Sequence, residues 1–109
     1  METEYYTPEE SKEIAKRYKD LLRESYQTLS EEDKRLIRKA FDVAVEAHKE
    51  QRRKSGEPYI YHPIAVAKIV AYDIGLDAVS IASALLHDVV EDTPITIEEI
   101  AQQFGDTIA

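Results

Sequence analysis

Apolar residues recur at helical spacing in five segments of the chain, and no segment shows the alternation of apolar and polar residues that is typical of a β-strand. Three of the segments open on a hydroxyl residue followed by acidic residues, which is typical of a helix start. These openings lie at Thr7, Ser30 and Thr96. The pattern therefore predicts an all-α fold of about five helices.

The third and fourth segments are predicted to form the centre of the fold. Pro63 is placed as the first residue of the third helix, which leaves His62 just ahead of it, and Gly75 is placed at its end. Asp77 is placed as the cap of the fourth helix, whose run is almost wholly apolar. The predicted inward positions of the two helices are Ile64, Ala67, Ile69 and Val70, then Ala78, Ile81, Ala82 and Leu85.

Length and composition indicate one globular domain with a modest core. The 109 residues are 43% hydrophobic and 33% charged, and they include no cysteine, so any metal site must use histidine and carboxylate ligands. The net charge of −8 argues against general binding of nucleic acid. No apolar run is long enough for a membrane span and the N-terminus is acidic, so no membrane is expected and the expected location is the cytoplasm.

An acidic cluster follows the apolar run of the fourth segment. On a continuous α-helix, His87, Asp88, Glu91 and Asp92 would share one edge, and no lysine or arginine is interspersed among them. Carboxylates that are crowded beside an imidazole repel one another unless a cation or a proton lies among them. The cluster is either an acidic helix end that contains a histidine or a site for a metal or for phosphate chemistry. The geometry favours the second interpretation.

A basic run interrupts the helical pattern at Arg52, Arg53 and Lys54, and turn residues and tyrosines follow it. Arginine pairs with phosphate through two donors, and lysine supplies a point charge. The run is either an anion site or the solvated end of the second helix, where cations are also favourable. His48, at the end of that helix, is predicted to be a hydrogen-bonded core residue.

Two stretches together carry a resemblance to a known family. They are RKSGEPYIYHP at residues 53–63 and LLHDVVEDT at residues 85–93. One stretch contributes a histidine and the other a histidine–aspartate pair, and this arrangement in a helical domain resembles that of the HD-domain metal-dependent phosphohydrolases. The two stretches are similar to the N-terminal hydrolase domain of the Rel/Spo family, which makes and degrades the alarmone guanosine tetraphosphate and its pentaphosphate relative.

The resemblance implies a role for each matching residue. The implied ligands of a manganese ion are His62, His87 and Asp88, the implied water-activating pair is Glu91 and Asp92, and the implied nucleotide-binding residues are Arg53, Lys54 and Tyr59. The implied reaction removes pyrophosphate from the ribose 3′ oxygen and leaves GDP or GTP. The family pattern has its fourth ligand, an aspartate, on a later helix beyond residue 109.

The chain is accordingly expected to be an N-terminal fragment of the domain. Residues 1–29 are expected to form a peripheral helix, and residues 30–109 are expected to form the first part of the HD domain. By itself the fragment is expected to bind manganese weakly, to hydrolyse the alarmone negligibly, and to self-associate through its uncovered core face. Two other functions stay open: an HD hydrolase of another nucleotide, and a non-catalytic helical module that regulates or dimerises.

Overall fold

The computed structural model describes residues 6–23, 29–74, 78–93 and 95–104, without the side chains of Asp73, Ile74 and Asp92. These ranges contain no β-strand, which confirms the all-α class. They hold α1 (Pro8–Leu22), α2 (Glu31–Ala47), α3 (Tyr61–Ile69), a π-helical stretch (Val70–Ile74), α4 (Ala78–Leu86), α5 (Val89–Asp92) and α6 (Ile97–Phe104). The helix end expected at Gly75 and the helix cap expected at Asp77 lie outside the described residues.

Capping boxes begin three of these helices, as the hydroxyl residues predicted. The Thr7 hydroxyl accepts from the Glu10 amide at 3.0 Å, and the Glu10 carboxylate accepts from the Thr7 amide at 2.9 Å. The same reciprocal pattern joins Ser30 with Asp33 and Thr96 with Glu99. Each pair provides hydrogen-bond acceptors for two backbone amides that have no acceptor within the helix. The three helix starts are therefore determined by local sequence.

The core forms around α4, which packs against α2 and α3, while α1 packs against α3. All four inward positions that were predicted for the fourth helix are buried. Ile64 and Ala67 of α3 are buried as predicted, but the prediction for Ile69 is wrong, because 55% of this residue is exposed. Ile69 is two positions after Ala67, about 200° around a helix of 3.6 residues per turn, so it lies on the opposite face.

Helix α1 is joined to the rest of the fold by side chains as well as by packing. Its buried residues are Ile14, Leu21 and Leu22. The Arg52 guanidinium contacts both carboxylate oxygens of Glu10, at 2.5 and 2.8 Å. The Tyr72 hydroxyl donates to the Asp20 carbonyl at the other end of the helix. Within the described ranges, no helix has the length and apolar character that crossing a membrane requires.

Acid is expected to weaken the attachment of α1. The hydrogen bond from Arg52 is the main reason why the pKa of Glu10 is lowered from 4.5 to about 2. A carboxylate whose pKa is lowered by folding stabilises the fold above its unfolded pKa, and this stabilisation is lost as the pH falls through the folded value. Between pH 4.5 and about 2, the free energy of unfolding should therefore decrease more steeply for the wild type than for Glu10→Gln. Urea denaturation at a series of pH values measures this difference, and parallel curves for the two proteins would contradict it.

Candidate active site

The basic run lies in a tight turn between α2 and α3. The Gly56 amide donates to the Arg53 carbonyl at 2.8 Å and closes the turn, and the Arg53 amide donates to the Glu57 carbonyl at 3.0 Å. Arg52 and Pro58 form an isolated antiparallel bridge at the base. Gly56 has a φ of 95°, a conformation that glycine adopts without the steric cost of a Cβ. Residues 52–58, called the basic loop below, are thus ordered by their own backbone bonds.

The three cations of the basic loop have different surroundings. Arg52 is paired with Glu10, and its Nη1 also donates to the Gly56 carbonyl at 2.9 Å. The side chains of Arg53 and Lys54 are exposed, and neither makes a hydrogen bond or an ion pair with any residue that the structure describes. An open depression of about 710 Å³ lies beside them and is also lined by Tyr59 and His62. The two unpaired cations are therefore available to an anionic ligand.

Three side chains from different elements meet at Asp88. The Tyr59 hydroxyl donates to Asp88 Oδ2 at 2.6 Å, and His87 Nδ1 lies 2.9 Å from Asp88 Oδ1. His62 Nε2 lies 3.9 Å from Asp88 Oδ2. Asp88 is mostly buried, with 14% of its side chain exposed, whereas 43% of His62 and 68% of His87 is exposed. The cluster thus has a fixed carboxylate on the inside and two imidazoles facing the solvent.

Residues 87–92 do not form the continuous helix on which their spacing was considered. Helix α4 ends at Leu86, where the His87 amide bonds to the Ala84 carbonyl three residues back, and Asp88 has φ −95° and ψ −1°. A bond to the third residue back tightens the last turn of a helix. The single turn of α5 follows. At this break Asp88 contacts Tyr59 and approaches His62, and the four-residue spacing of a straight helix does not predict either of these neighbours.

His62 lies in the first turn of α3, not ahead of the helix as was predicted. The helix begins at Tyr61, and the His62 amide donates to the Tyr59 carbonyl at 2.9 Å. Pro63 consequently occupies the third helical position, where the backbone amide has no partner within the helix and proline is tolerated. A start that is two residues earlier fixes the backbone of His62 within an ordered turn.

The donor atoms at Asp88 suit a divalent cation by type. Imidazole nitrogens and a carboxylate are ligands that manganese accepts. Both oxygens of Asp88 are nevertheless engaged, by Tyr59 and by His87, and no group of three or more histidine, cysteine or acidic side chains has metal-binding geometry among the described residues. His62, His87 and Asp88 would suit a divalent metal by the type of their donor atoms.

His48 lies behind this cluster. Its ring is fully buried, its Nδ1 lies 2.5 Å from Gln51 Oε1, and its centroid lies 4.9 Å from that of Tyr59. The Tyr59 amide in turn donates to the Gln51 carbonyl at 3.0 Å. No hydrogen-bond partner of His48 Nε2 is found among the described residues. His48 is thus a buried residue that supports Tyr59, consistent with the predicted structural role.

Of the two carboxylates that follow Asp88, the structure describes only that of Glu91, which takes no part in this cluster. Glu91 is exposed on α5, and no hydrogen bond or ion pair joins it to any other described residue. The backbone of Asp92 ends α5, and its side chain lies outside the described part of the chain. Their proposed role therefore rests on position along the chain, one helical turn beyond Asp88.

Comparison with known proteins gives one family and several relatives. The HD domain family matches residues 40–109. A probable guanosine-3′,5′-bis(diphosphate) 3′-pyrophosphohydrolase of Synechocystis sp. is 55% identical over 68% of this chain and 10% of its own length. The bifunctional (p)ppGpp synthase/hydrolase SpoT of Escherichia coli K12 is 49% identical over 74% of the chain and 11% of its own length. A probable GTP pyrophosphokinase of Mycobacterium leprae is 48% identical over 67% of the chain and 9% of its own length. The chain spans about a tenth of the length of these relatives.

Proposed function

The chain belongs to the HD domain family, and on that premise we propose that it forms the N-terminal part of the hydrolase domain of a Rel/Spo-type protein. The proposed reaction removes pyrophosphate from the ribose 3′ oxygen of guanosine tetraphosphate or pentaphosphate and leaves GDP or GTP. In this proposal residues 30–109 belong to the HD domain, residues 1–29 form a peripheral element, and the location is the cytoplasm.

One observation carries the proposal: the Asp88 cluster lies beside the basic loop. His62 and Tyr59 line the same depression as Arg53 and Lys54, and both also approach Asp88. A phosphate group that is held by the two cations would therefore lie next to the imidazoles and the carboxylate. In a protein with a net charge of −8, unpaired cations at this point lower the repulsion of an anionic nucleotide.

Each residue has a defined part in the proposed reaction. Arg53 and Lys54 bind the phosphates of the alarmone, Arg53 through two donors and Lys54 through one charge. Tyr59 holds Asp88 in place by donating its hydroxyl hydrogen to Oδ2. Glu91, together with Asp92, accepts the proton of the water that attacks phosphorus and orients this water.

HD-domain hydrolases depend on a metal, and we propose that the metal here is manganese, held by His62, His87 and Asp88. When bound, such an ion lowers the pKa of a water ligand and polarises a phosphate oxygen. The fourth ligand in the family resemblance is an aspartate on a later helix, and we assign it to no described residue.

The decisive experiment measures release of pyrophosphate from guanosine tetraphosphate by the whole protein that carries this chain, with and without manganese. Release that depends on manganese and yields GDP supports the proposal. Release from ATP or dGTP at an equal rate would favour an HD hydrolase of another nucleotide. No release from any nucleotide would favour a regulatory or dimerising module.

Arg53→Ala is expected to weaken binding of the alarmone by roughly tenfold or more, because an exposed charge-assisted hydrogen bond to phosphate is lost. Binding of manganese should not change, since the Arg53 side chain makes no hydrogen bond or ion pair with the Asp88 cluster. Isothermal titration with the nucleotide and then with manganese measures the two effects. Lys49→Ala, which removes a cation that is paired with Glu46 on α2, is the control for net charge. An unchanged nucleotide affinity in Arg53→Ala would mean that the basic run is a solvated helix end.

Residues 1–109 by themselves are expected to bind manganese weakly, to turn over the alarmone negligibly, and to form a dimer or larger assembly. The exposed side chains of Ile69 and Ile97 are compatible with self-association. Sedimentation velocity and a manganese titration measure these properties, and chains that extend through the next helices should gain affinity and turnover together. A monomer with substantial manganese-dependent hydrolysis would contradict the expectation.

A further inference from the structure

Helix α1 contacts the basic loop, although α1 lies outside the residues that the HD domain family matches. The contact is the pair formed by Glu10 and Arg52, whose positions are 42 residues apart. Two nitrogens of Arg52 contact the two oxygens of Glu10, at 2.5 and 2.8 Å. This fork geometry fixes the plane of the guanidinium as well as its distance.

The same guanidinium also reaches across the basic loop. Arg52 Nη1 donates to the Gly56 carbonyl at 2.9 Å, so one nitrogen is shared between α1 and the far side of the turn. Gly56 is the residue that closes the turn through the Arg53 carbonyl. Arg52 therefore connects the N-terminal turn of α1 to the backbone on which Arg53 and Lys54 stand.

We propose that Glu10 and Arg52 are positioning residues, which hold the basic loop in the conformation that presents Arg53 and Lys54 to the phosphates of an anionic nucleotide. This inference rests on the proposed function for the identity of the nucleotide. Helix α1 would then contribute to substrate affinity through Glu10. Glu10 does not line the depression, whereas Arg52 does. The role that we assign to both residues is to hold the loop.

Positioning and simple electrostatics predict opposite effects of Glu10→Gln. This change removes a negative charge near the loop, so electrostatics alone would strengthen binding of an anion. Positioning predicts weaker binding, because the neutral amide no longer offers two anionic oxygens to the fork. Glutamine is also accepted at the third position of a capping box, so the start of α1 should persist.

The experiment compares three variants of the full chain. Glu10→Gln breaks the ion pair, and Arg52→Lys keeps the net charge but loses the fork. Glu9→Gln is the matched control, because Glu9 is an exposed neighbour in the same helical turn and makes no hydrogen bond or ion pair with any described loop residue. Inorganic pyrophosphate and guanosine tetraphosphate serve as probes in calorimetric titrations. Hydrogen exchange of the Arg53 and Gly56 amides reports the order of the loop without any ligand.

Glu10→Gln and Arg52→Lys are expected to bind both probes on the order of fivefold to tenfold more weakly, the net effect of about one ordinary hydrogen bond. Exchange of the two loop amides should be about tenfold faster in both variants, because the loop opens more often. Glu9→Gln should match the wild type in both measurements.

Equal or tighter binding in Glu10→Gln, or loop exchange unchanged from the wild type, would overturn the proposal. The proposed function fails on a different measurement, namely the absence of pyrophosphate release from guanosine tetraphosphate by the wild-type protein. The exchange of the loop amides and the affinity for pyrophosphate test the role of Glu10 and Arg52 in either case.

Discussion

Asp88→Asn is expected to lower alarmone hydrolysis by on the order of 10³-fold, since the several kcal/mol that a metal contributes to phosphoryl chemistry depend on its ligands. Asp88 is the one residue that all the other members of the cluster approach: Tyr59 at 2.6 Å, His87 at 2.9 Å and His62 at 3.9 Å. Asparagine keeps the shape of the side chain and can still accept a hydrogen bond from Tyr59. It removes the negative charge that a divalent cation requires.

The measurement pairs turnover of the whole protein with a manganese titration, and both should decrease together. Tyr59→Phe is the matched comparison, because it removes the hydroxyl that orients Asp88 and leaves the carboxylate in place. Its expected loss is smaller, about 10- to 100-fold, as for other residues that orient a metal ligand. Turnover of Asp88→Asn within tenfold of the wild type, with manganese affinity unchanged, would remove Asp88 from the proposed site.

Much of the fold could be predicted because its signals are local. Capping boxes at Thr7, Ser30 and Thr96 are satisfied within four residues, so the sequence alone places these starts. The run of α4 is apolar on most sides, which predicted a buried helix, and α4 is indeed the helix that packs against both α2 and α3. The π-helical stretch at Val70–Ile74 has no such local signal. The exposure of Ile69 was missed because all four apolar positions of the third helix were assigned to its inward face. A period of 3.6 residues does not place all four of these positions on the same face.

The candidate site could be predicted as a set of residues but not as an arrangement. Spacing on an assumed straight helix grouped His87 with Glu91, whereas the break after Leu86 groups His87 and Asp88 with Tyr59 and His62. The approach of Asp88 to His62 is a tertiary contact between the end of α4 and the first turn of α3, and residue spacing along the chain does not contain it. The pairing of Glu10 with Arg52 was missed for the same reason: 42 residues separate them, and nothing in a basic run marks which cation is already paired.

The double change Glu91→Gln and Asp92→Asn is expected to lower hydrolysis by on the order of 10²-fold or more while manganese still binds, because a general base is lost and no proposed ligand is touched. Glu91 is exposed on α5 and is unpaired among the described residues, so its carboxylate is available to a water and its replacement should cost little stability. Glu32→Gln with Glu98→Gln is the control for net charge, since both residues are exposed and neither makes a hydrogen bond or an ion pair with a described residue. Steady-state rates at saturating alarmone, together with manganese titrations of all three proteins, separate loss of the base from loss of the metal. Full turnover in the double variant would remove Glu91 and Asp92 from the mechanism, and the water would then have to be activated by the Asp88 cluster itself.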